Sequence, residues 1–214
     1  MIRIYGKPFF YWATRSVSKF IELDSLDFVV LREHVVHFHI NDEINTFFPN
    51  AGIHILDEVT DGAVITCMEG LKSIHDSLPV LFNDCDHLFK CNQFNDYINK
   101  NVRSEVDGIL LTFSADSPKY SYARTNDDGL VMETAEKKVI SNEAICGCYY
   151  FRDKKTFDLA ANKYLESCSY SEYYMSGVYN EMINQSDCVK TMLTDFHVPF
   201  GVPEEYEQAL KNEA

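Results

Sequence analysis

The sequence predicts an α/β domain whose central sheet is mixed but mostly parallel. Four short, nearly continuous apolar runs are typical of strands covered by helices on both faces. These runs are DFVVL at 27–31, GIHIL at 52–56, PVLFND at 79–84 and GILLTFS at 108–114. Amphipathic stretches with apolar residues at helical spacing separate them, which is the alternation expected around a parallel sheet.

The elements follow one another along the chain in a regular order. In the first half, helices are expected at KPFFYWATRSVSKFIE (7–22), REHVVHFHINDEINTFF (32–48), DGAVITCMEGLKSIHD (61–76) and NQFNDYINKN (92–101). Beyond Ser117 the pattern changes to shorter β segments, YSYARTN (120–126), LVMETAE (130–136) and AICGCYYF (144–151). The turn signal NDDG lies between the first two, so these segments extend the same sheet and make it mixed. Helices are expected to return at 153–167, at 171–184 and at 203–213, the last beginning with a proline and two acids.

Length and charge narrow the functional classes. The 214 residues show no repeat or linker, which fits one domain over residues 1–214. A formal charge of −14 argues against a nucleic acid or an anionic membrane as partner, because both need a basic surface. No apolar stretch is long enough to span a membrane and the N-terminus lacks the features of a signal peptide, which predicts a cytoplasmic protein. Its seven cysteines are therefore expected to be reduced thiols.

The third apolar run ends in polar residues that suit a metal ion. Asn83, Asp84, Cys85, Asp86 and His87 leave the strand at the edge where open α/β sheets bind ligands. Clustered carboxylates repel one another unless a cation lies between them, and hard oxygen ligands suit Mg²⁺ or Mn²⁺ with phosphate oxygens completing the shell. An ordinary helix cap or Asx turn is the alternative for any one of these acids.

Other candidate sites are weaker. His34, His37 and His39 resemble a zinc site, but histidines on a half-buried helix are the favoured interpretation because His39 fits the shared face poorly. Cys146 and Cys148 are interpreted as packing residues, since two thiols do not make a closed zinc site. The sequence contains no nucleophile elbow, Walker-type loop or G-x-G-x-x-G motif.

A charged cluster follows one of the short β segments. Glu136, Lys137 and Lys138 are usually explained as a solvated run. Together with the acids of NDCD, they would instead supply a carboxylate for sugar hydroxyls and an ammonium group for a phosphate.

With these motifs in order, the chain resembles the sugar-phosphate nucleotidylyltransferases, in the branch found in capsule and surface-glycan gene clusters. The blocks that carry the resemblance are GKPFFYW (6–12), DEVTDGAVITC (57–67), VLFNDCDHLF (80–89), GILLTFSADSPKYSYARTNDDG (108–129), VMETAEKKVISNEAICGCYYF (131–151), SEYYMSGVYNEMI (171–183) and FGVPEEYEQAL (200–210). The resemblance implies a Rossmann-like, GT-A nucleotidyltransferase fold. It also implies a reaction in which a sugar 1-phosphate or related phosphorylated alcohol attacks a nucleoside triphosphate, releases pyrophosphate and yields a precursor of surface polysaccharide.

The resemblance also assigns roles to individual positions. Asp86 resembles the Mg²⁺-binding aspartate at the end of the third strand. Gly62 and Ala63 resemble the backbone that a nucleotide base approaches closely, where a small residue is required. Glu136 and Lys137 match the pair that holds the sugar and its phosphate.

Further positions match or depart from the pattern. Gly147 and Glu172 match positions that line the sugar pocket. Gly177 stands about where thymidylyltransferase relatives carry a further metal-binding aspartate, for which Asp84 is a candidate replacement. Ser121 replaces a glycine of those relatives, so the resemblance does not identify the sugar.

The family usually begins with a strand and a glycine-rich loop that holds the triphosphate, and this chain has no counterpart upstream of Gly6. The expected fold therefore lacks the usual first strand and loop, and the strand edge left unpaired favours a homo-oligomer. Three functions remain open: an active nucleotidyltransferase, a catalytically degenerate nucleotide-binding or regulatory subunit, and a glycosyltransferase using the D-x-D-like DCD.

Overall fold

The computed structural model describes residues 1–100 and 106–211, and within them the chain forms twelve strands and eight helices. The strands are β1 (Arg3–Ile4), β2 (Lys7–Pro8), β3 (Asp27–Leu31), β4 (Gly52–Leu56), β5 (Val80–Asn83), β6 (His87–Lys90), β7 (Gly108–Ser114), β8 (Tyr122–Thr125), β9 (Val131–Ala135), β10 (Glu143–Phe151), β11 (Val189–Leu193) and β12 (Phe196–Pro199). The helices are α1 (Phe9–Ser18), α2 (Arg32–Phe38), α3 (Ile40–Phe47), α4 (Ala63–Gly70), α5 (Asn92–Asn99), α6 (Lys154–Ser167), α7 (Met175–Asn184) and α8 (Pro203–Lys211). The predicted ends of two helices, at 101 and at 212–213, lie outside the described residues.

The central sheet has six strands and is mixed. Its order is β11, β7, β10, β8, β9, with β5 also paired to β10. The long strand β10 runs antiparallel to β5, β7 and β8, and β8 runs antiparallel to β9, whereas β11 and β7 are parallel. The predicted mixed α/β fold is confirmed, but within the described strands of this sheet the expectation of mostly parallel pairing is wrong. Apolar runs show only that helices cover a strand on both faces, and strand direction does not follow from that.

Helices cover both faces of this sheet. On one face α4, α6 and α7 bury a cluster that includes Val64, Phe157 and Tyr179. On the other face α1 and α5 bury a cluster that includes Val17 and Phe94. All of β10 after its first residue is buried between these layers. Coverage on both faces is what makes the strand sequences continuously apolar.

Strands β3 and β4 form a separate parallel pair in the same layered arrangement. Helix α1 contacts both sheets, through the Phe10 ring on Phe28 of β3 and the Ala13 carbonyl, which accepts a hydrogen bond from the Asn83 side chain at the end of β5. Helix α4 also contacts both sheets. Its last residue, Gly70, packs on Val29 of β3, and Val64 near its start belongs to the core of the central sheet. Among the described residues, β3 and β5 nevertheless share no ladder.

The boundaries of several elements depart from the sequence expectations. The expected helix at 32–48 is divided at His39, whose φ of 51° places it in the left-handed region. Five strands were not predicted, β1, β2, β6, β11 and β12. Of these, β6 and β12 pair with each other next to the segment that contains Asp84 and Asp86. No helix in the described parts of the chain has the length and apolar character needed to cross a membrane.

Candidate active site

The acidic residues predicted from NDCD lie in the tight connection between β5 and β6. The Asp84 amide donates to the Gly147 carbonyl at 2.8 Å, which ties the start of this loop to the middle of β10. The Phe200 amide donates to the Asp86 carbonyl at 2.9 Å and ties its end to the segment after β12. The loop is therefore anchored on both sides, and the two acids project from a fixed backbone.

Two glycines leave space for the two carboxylates. A Cβ at Gly147 would lie 2.5 Å from an oxygen of Asp84, and the φ of Gly147 is +90°. A Cβ at Gly201 would collide with the Asp86 carboxylate in the same way. Gly147, predicted from the resemblance as a pocket residue, thus directly contacts the acidic loop, whereas Gly201 was not singled out by the sequence. An added Cβ at either position would force the facing carboxylate to shift, so the two glycines form a cradle around the acids.

Burial and like charges raise the pKa of both aspartates. The Asp84 pKa is raised to about 7, chiefly by desolvation and then by the charges of Asp86 and Glu136. Desolvation and the charge of Glu205 raise the Asp86 pKa, although its own backbone hydrogen bond acts in the opposite direction. The Asp84 side chain is nevertheless exposed to solvent. We call the region that Asp84, Asp86 and Glu136 face the acidic recess.

Glu136 faces this recess and is held by two serines. The Ser121 hydroxyl donates to one Glu136 oxygen at 2.5 Å, and the Ser176 hydroxyl donates to the same oxygen at 2.9 Å. Its charge contributes to the raised pKa of Asp84, so three carboxylates face one region. Neither serine was assigned a role from sequence, although Ser121 was noted as a departure from relatives that carry glycine. A serine here fixes one oxygen of Glu136, which a glycine could not do.

Lys137 lies next to these acids and is held by an aromatic residue. Its φ of 51° is left-handed, and its ammonium group donates to the Tyr174 hydroxyl at 3.2 Å and lies 4.9 Å from the centre of that ring. This hydrogen bond is the main cause of a raised Lys137 pKa, and the charges of Glu136 and Glu172 add to it. Among residues 1–100 and 106–211, no lysine or arginine forms an ion pair with Asp84 or Asp86.

Gly62 and Ala63 begin helix α4 and contact the segment that precedes α7. The Tyr173 amide donates to the Asp61 carbonyl at 3.0 Å, and the Val64 amide donates to the Tyr173 carbonyl at 3.1 Å. A Cβ at Gly62, whose φ is +144°, would lie 2.9 Å from the Tyr173 Cα. This close chain approach is sufficient to require glycine at position 62. The predicted role of Gly62 and the exposed Ala63 in base binding stays a prediction.

Position 177, where the sequence resemblance implies a metal-binding aspartate in thymidylyltransferases, is occupied here by glycine. Gly177 is buried, and the Tyr164 ring occupies the space that any side chain at position 177 would need. A carboxylate at this position is therefore incompatible with the packing of α6 against α7. Of the described acids, Asp84 is better placed to accompany Asp86.

The carboxylates of Asp84, Asp86 and Glu136 could supply some, but not all, of the ligands of a Mg²⁺ ion. Within the described parts of the chain, one set of three His, Cys, Asp or Glu ligand atoms falls within 4.8 Å of one another, and it consists of His87, Cys146 and His197. Asp84, Asp86 and Glu136 thus do not close around an ion by themselves. Two glycine-cradled carboxylates in a recess instead suit Mg²⁺, which takes few protein ligands and keeps water or phosphate oxygens. The histidines at 34, 37 and 39 form no such set among the described residues. His34 and His37 lie on α2, but His37 is exposed and the exposed His39 lies at the break between α2 and α3, so the prediction of one half-buried helix is wrong there.

Comparison with known proteins identifies the fold. No family profile and no curated protein matches the chain. Among solved structures, a nucleoside-diphosphate-sugar pyrophosphorylase from Vibrio cholerae RC9 superposes with a TM-score of 0.84 at 20% identity, covering 99% of this chain and 90% of that chain. The inositol-1-phosphate CTP transferase from T. maritima gives a TM-score of 0.74 at 15% identity, covering 98% and 84%. The chain has the sugar-phosphate nucleotidyltransferase fold.

In this nucleotidyltransferase fold, the acidic loop and the Glu136–Lys137 pair occupy one side of the central sheet around β10. At these identities the likeness establishes the fold, while activity depends on the site residues themselves. The structure brings Asp84, Asp86 and Glu136 together, and it places Lys137 beside Glu136 and Glu172.

Proposed function

We propose that the chain is a nucleotidyltransferase that joins a sugar 1-phosphate, or a related phosphorylated alcohol, to the nucleoside monophosphate part of a nucleoside triphosphate and releases pyrophosphate. The observation that carries this proposal is the acidic recess. Asp84, Asp86 and Glu136 face one region on glycine-lined backbone, and like charges raise the Asp84 pKa to about 7. Carboxylates held so close indicate a site built for a divalent cation.

Asp86 is the principal residue that would hold Mg²⁺, with Asp84 beside it. When bound there, Mg²⁺ would neutralise charge on the phosphate oxygens. The anchored loop keeps both carboxylates in place before substrate arrives, so no binding energy is spent on ordering them.

Glu136 and Lys137 would hold the second substrate. The oxygen of Glu136 that the serines leave free can accept hydrogen bonds from sugar hydroxyls. The ammonium group of Lys137 can pair with the sugar phosphate, while Glu172 and Gly147 lie close enough to these groups to line the same pocket. Gly62 and Ala63 would contact the nucleotide base, which completes the proposed substrate-binding residues.

The chemistry places modest demands on the protein. A sugar phosphate is already ionised at neutral pH, so no general base is needed to generate its attacking oxygen. The side chains must align the two substrates in line and stabilise charge that develops on the phosphate being attacked. Lys137 can do this directly, and the acidic recess does so through the cation it is built to hold.

The finer role, supplying a precursor of surface polysaccharide in the cytoplasm, is supported by the sequence resemblance alone. The ordered blocks from GKPFFYW to FGVPEEYEQAL resemble those of the capsule and surface-glycan branch. A panel of sugar 1-phosphates and phosphorylated alcohols would identify the acceptor.

A second candidate function is a nucleotide or nucleotide-sugar binding subunit without turnover. It is favoured by the motif search, which finds no Walker-type loop and no G-x-G-x-x-G motif in the 214 residues. Groups that neutralise pyrophosphate would have to come from other elements, and losing one such donor typically costs roughly 100-fold or more in rate.

Binding is tested by calorimetry with each common nucleoside triphosphate, in the presence of Mg²⁺ and then of a chelator. We expect one nucleotide to bind only with Mg²⁺, and Asp86→Asn to remove that dependence. Asp127→Asn is the matched control, since Asp127 lies in the exposed turn before β9 and makes the same chemical change far from the recess. If no nucleotide binds, or if both variants behave alike, the acidic recess is not a nucleotide site.

Turnover is tested by pyrophosphate release from the same nucleotide with the panel of phosphorylated acceptors. Lys137→Met should lower kcat/KM by about 100-fold, the typical effect of removing one charge-stabilising donor. Lys138→Met, an exposed neighbour in the same turn, should leave kcat/KM nearly unchanged. Mg²⁺-dependent binding without pyrophosphate release with any acceptor of the panel would favour the binding-subunit interpretation.

A further inference from the structure

A cluster of nitrogen and sulfur ligands lies directly beneath the acidic loop, and the proposed reaction does not use it. His87 begins β6, Cys146 lies in the middle of β10 and His197 lies in β12. One ligand atom from each residue comes within 4.8 Å of the other two. His87 and Cys146 are buried, and His197 is half-buried. Three strands that are distant in sequence therefore converge on one small set of metal-binding atoms.

His87 has two hydrogen-bond acceptors but only one proton to donate. Its Nδ1 lies 2.5 Å from the Cys146 carbonyl, and its Nε2 lies 3.0 Å from the Asn83 side-chain oxygen. The Asn83 amide nitrogen donates to the Ala13 carbonyl at 2.9 Å, which fixes the orientation of that side chain. A neutral imidazole carries a single N–H, so in that form one ring nitrogen presents a lone pair to an oxygen, which is unfavourable in a buried site.

His197 has no hydrogen-bond partner on either ring nitrogen, and both nitrogens are shielded from solvent. Its ring lies edge-on to that of His87, with centroids 5.5 Å apart, and packs on Phe113 at 4.1 Å. Buried polar atoms are nearly always paired, so an unpaired imidazole beside a second imidazole and a thiol calls for a partner. Desolvation lowers the His197 pKa to about 3, which keeps this ring in its neutral, metal-binding form.

We propose that His87, Cys146 and His197 form a site for a single borderline-soft divalent ion of the Zn²⁺ class. Two imidazoles and one thiolate are the ligand types that Zn²⁺ prefers, at about 2.0–2.1 Å for nitrogen and about 2.3 Å for sulfur. Tetrahedral bonds of that length separate neighbouring ligand atoms by roughly 3.3–3.6 Å. The observed limit of 4.8 Å requires side-chain movements of only roughly 1 Å.

The surroundings of His87 match the usual support of a metal-bound imidazole. If Nε2 binds the ion, Nδ1–H donates to the Cys146 carbonyl, and metal-bound histidines commonly donate their other N–H to such an acceptor. The Asn83 oxygen, 3.0 Å from Nε2, would then have to move aside or become a fourth ligand, and the ion would give His197 a partner. Binding would release the proton of the Cys146 thiol to solvent, because the thiolate is the ligand form.

The bound ion would stabilise the backbone of the loop between β5 and β6. His87 directly follows Asp86, and Cys146 directly precedes Gly147, which cradles Asp84. A bond network through these residues would lock β6, β10 and β12 together beneath the two carboxylates. The site is independent of the proposed transferase activity, since it uses neither carboxylate and would exist in a binding subunit as well.

Cobalt is the probe for this site, because Co²⁺ bound by a thiolate gives a sulfur-to-metal charge-transfer band that oxygen ligands do not give. The full chain is treated with a chelator, dialysed and titrated with Co²⁺. We expect one equivalent to produce the band, Zn²⁺ to abolish it by displacement, and excess Mg²⁺ to leave it intact. Asp86→Asn should retain the band, which separates this site from the acidic recess.

Two ligand variants and one matched control decide the outcome. Cys146→Ser should lose the charge-transfer band, and His197→Gln should weaken cobalt binding by more than the roughly 10- to 100-fold typical of outer-shell changes. Cys148→Ser removes another buried thiol of the same strand and should keep full binding. The proposal is overturned if the unmodified chain shows no such band, or if Cys146→Ser keeps it. Should Cys146→Ser fail to fold, undiminished binding in the folded His197→Gln variant would overturn it equally.

Discussion

Asp84 offers a direct test of the electrostatics of the acidic recess, because its carboxylate is held where ionisation is unfavourable. Its pKa is raised from 3.8 to about 7, by desolvation first and by the charges of Asp86 and Glu136 next. We expect Asp84→Asn to stabilise the metal-free chain at alkaline pH. The substitution preserves the shape of the side chain. It also leaves unchanged the hydrogen bond that the backbone amide of residue 84 donates to the Gly147 carbonyl.

The size of the expected change in free energy of unfolding follows from the linkage between protonation and folding. A carboxyl group whose pKa is higher in the folded state favours folding below its unfolded pKa, and it loses that contribution as pH rises from about 4 to about 7. At 1.36 kcal/mol per unit, a shift from 3.8 to about 7 sets an upper limit of about 4 kcal/mol. The Asp84 side chain is exposed, so solvent screening reduces this to about 1–2 kcal/mol. About half of this change in the free energy of unfolding occurs between pH 5.5 and pH 8.

Urea unfolding of chelator-treated protein at pH 5.5 and pH 8 measures this effect. Relative to the unmodified chain, Asp84→Asn should gain about 0.5–1 kcal/mol in free energy of unfolding between these pH values. With an m-value of about 2.5 kcal/mol/M, the midpoint shifts by roughly 0.2–0.4 M. Asp127→Asn, in an exposed turn, should show no such pH-dependent gain. A gain that is equal at both pH values, or a loss at pH 8, would refute the assignment of a raised Asp84 pKa.

The remaining predictions concern backbone and helix-cap positions. Gly147→Ala should reduce the free energy of unfolding by about 1–3 kcal/mol more than Gly129→Ala, since both have positive φ but only the former meets the Asp84 carboxylate. Equal losses in chemical denaturation would show that the carboxylate moves aside freely. Asp153→Ala should cost about 1 kcal/mol and lower Tm by about 2–4 °C, because the Asp153 carboxylate caps α6 by accepting from the Thr156 amide at 2.8 Å. Thermal unfolding of Asp153→Asn should show most of that loss restored, and equal Tm values for both variants would exclude the capping role.

Strand positions were predictable from sequence where helices cover both faces. The runs at 27–31, 52–56 and 108–114 coincide with β3, β4 and β7. For β7 the reason is two-sided burial, whereas β3 and β4 are only partly buried and follow the same apolar pattern. The direction of pairing was not predictable, since β10 collects three antiparallel neighbours from distant parts of the chain. The edge pair of β6 and β12 was also missed, because its strands are short and half polar and their pairing spans about half the chain.

The acidic loop was predictable for a similar reason. A strand that ends in clustered acids marks the ligand edge of a sheet, and the structure places Asp84 and Asp86 on such a loop. The residues that hold the other groups were not predictable. Ser176 and Tyr174 reach Glu136 and Lys137 from about 40 residues away, and nothing local distinguishes them from ordinary polar residues. His197 likewise carries no sequence signal until β12 is seen to pair with β6.

The charge of the molecule constrains how the recess can work. A chain with a formal charge of −14 repels free nucleotide at long range, and the three carboxylates of the recess add repulsion at close range. Lys137 alone cannot reverse this field, since Glu136 and Glu172 already act on its charge. Under the proposed function, a polyphosphate would therefore have to enter with its charge largely neutralised by a divalent cation. In a basic active site the same acids would be partners for lysine or arginine, but among the described residues Asp84 and Asp86 have no such ion pair, so the proposed cation would be an integral part of recognition.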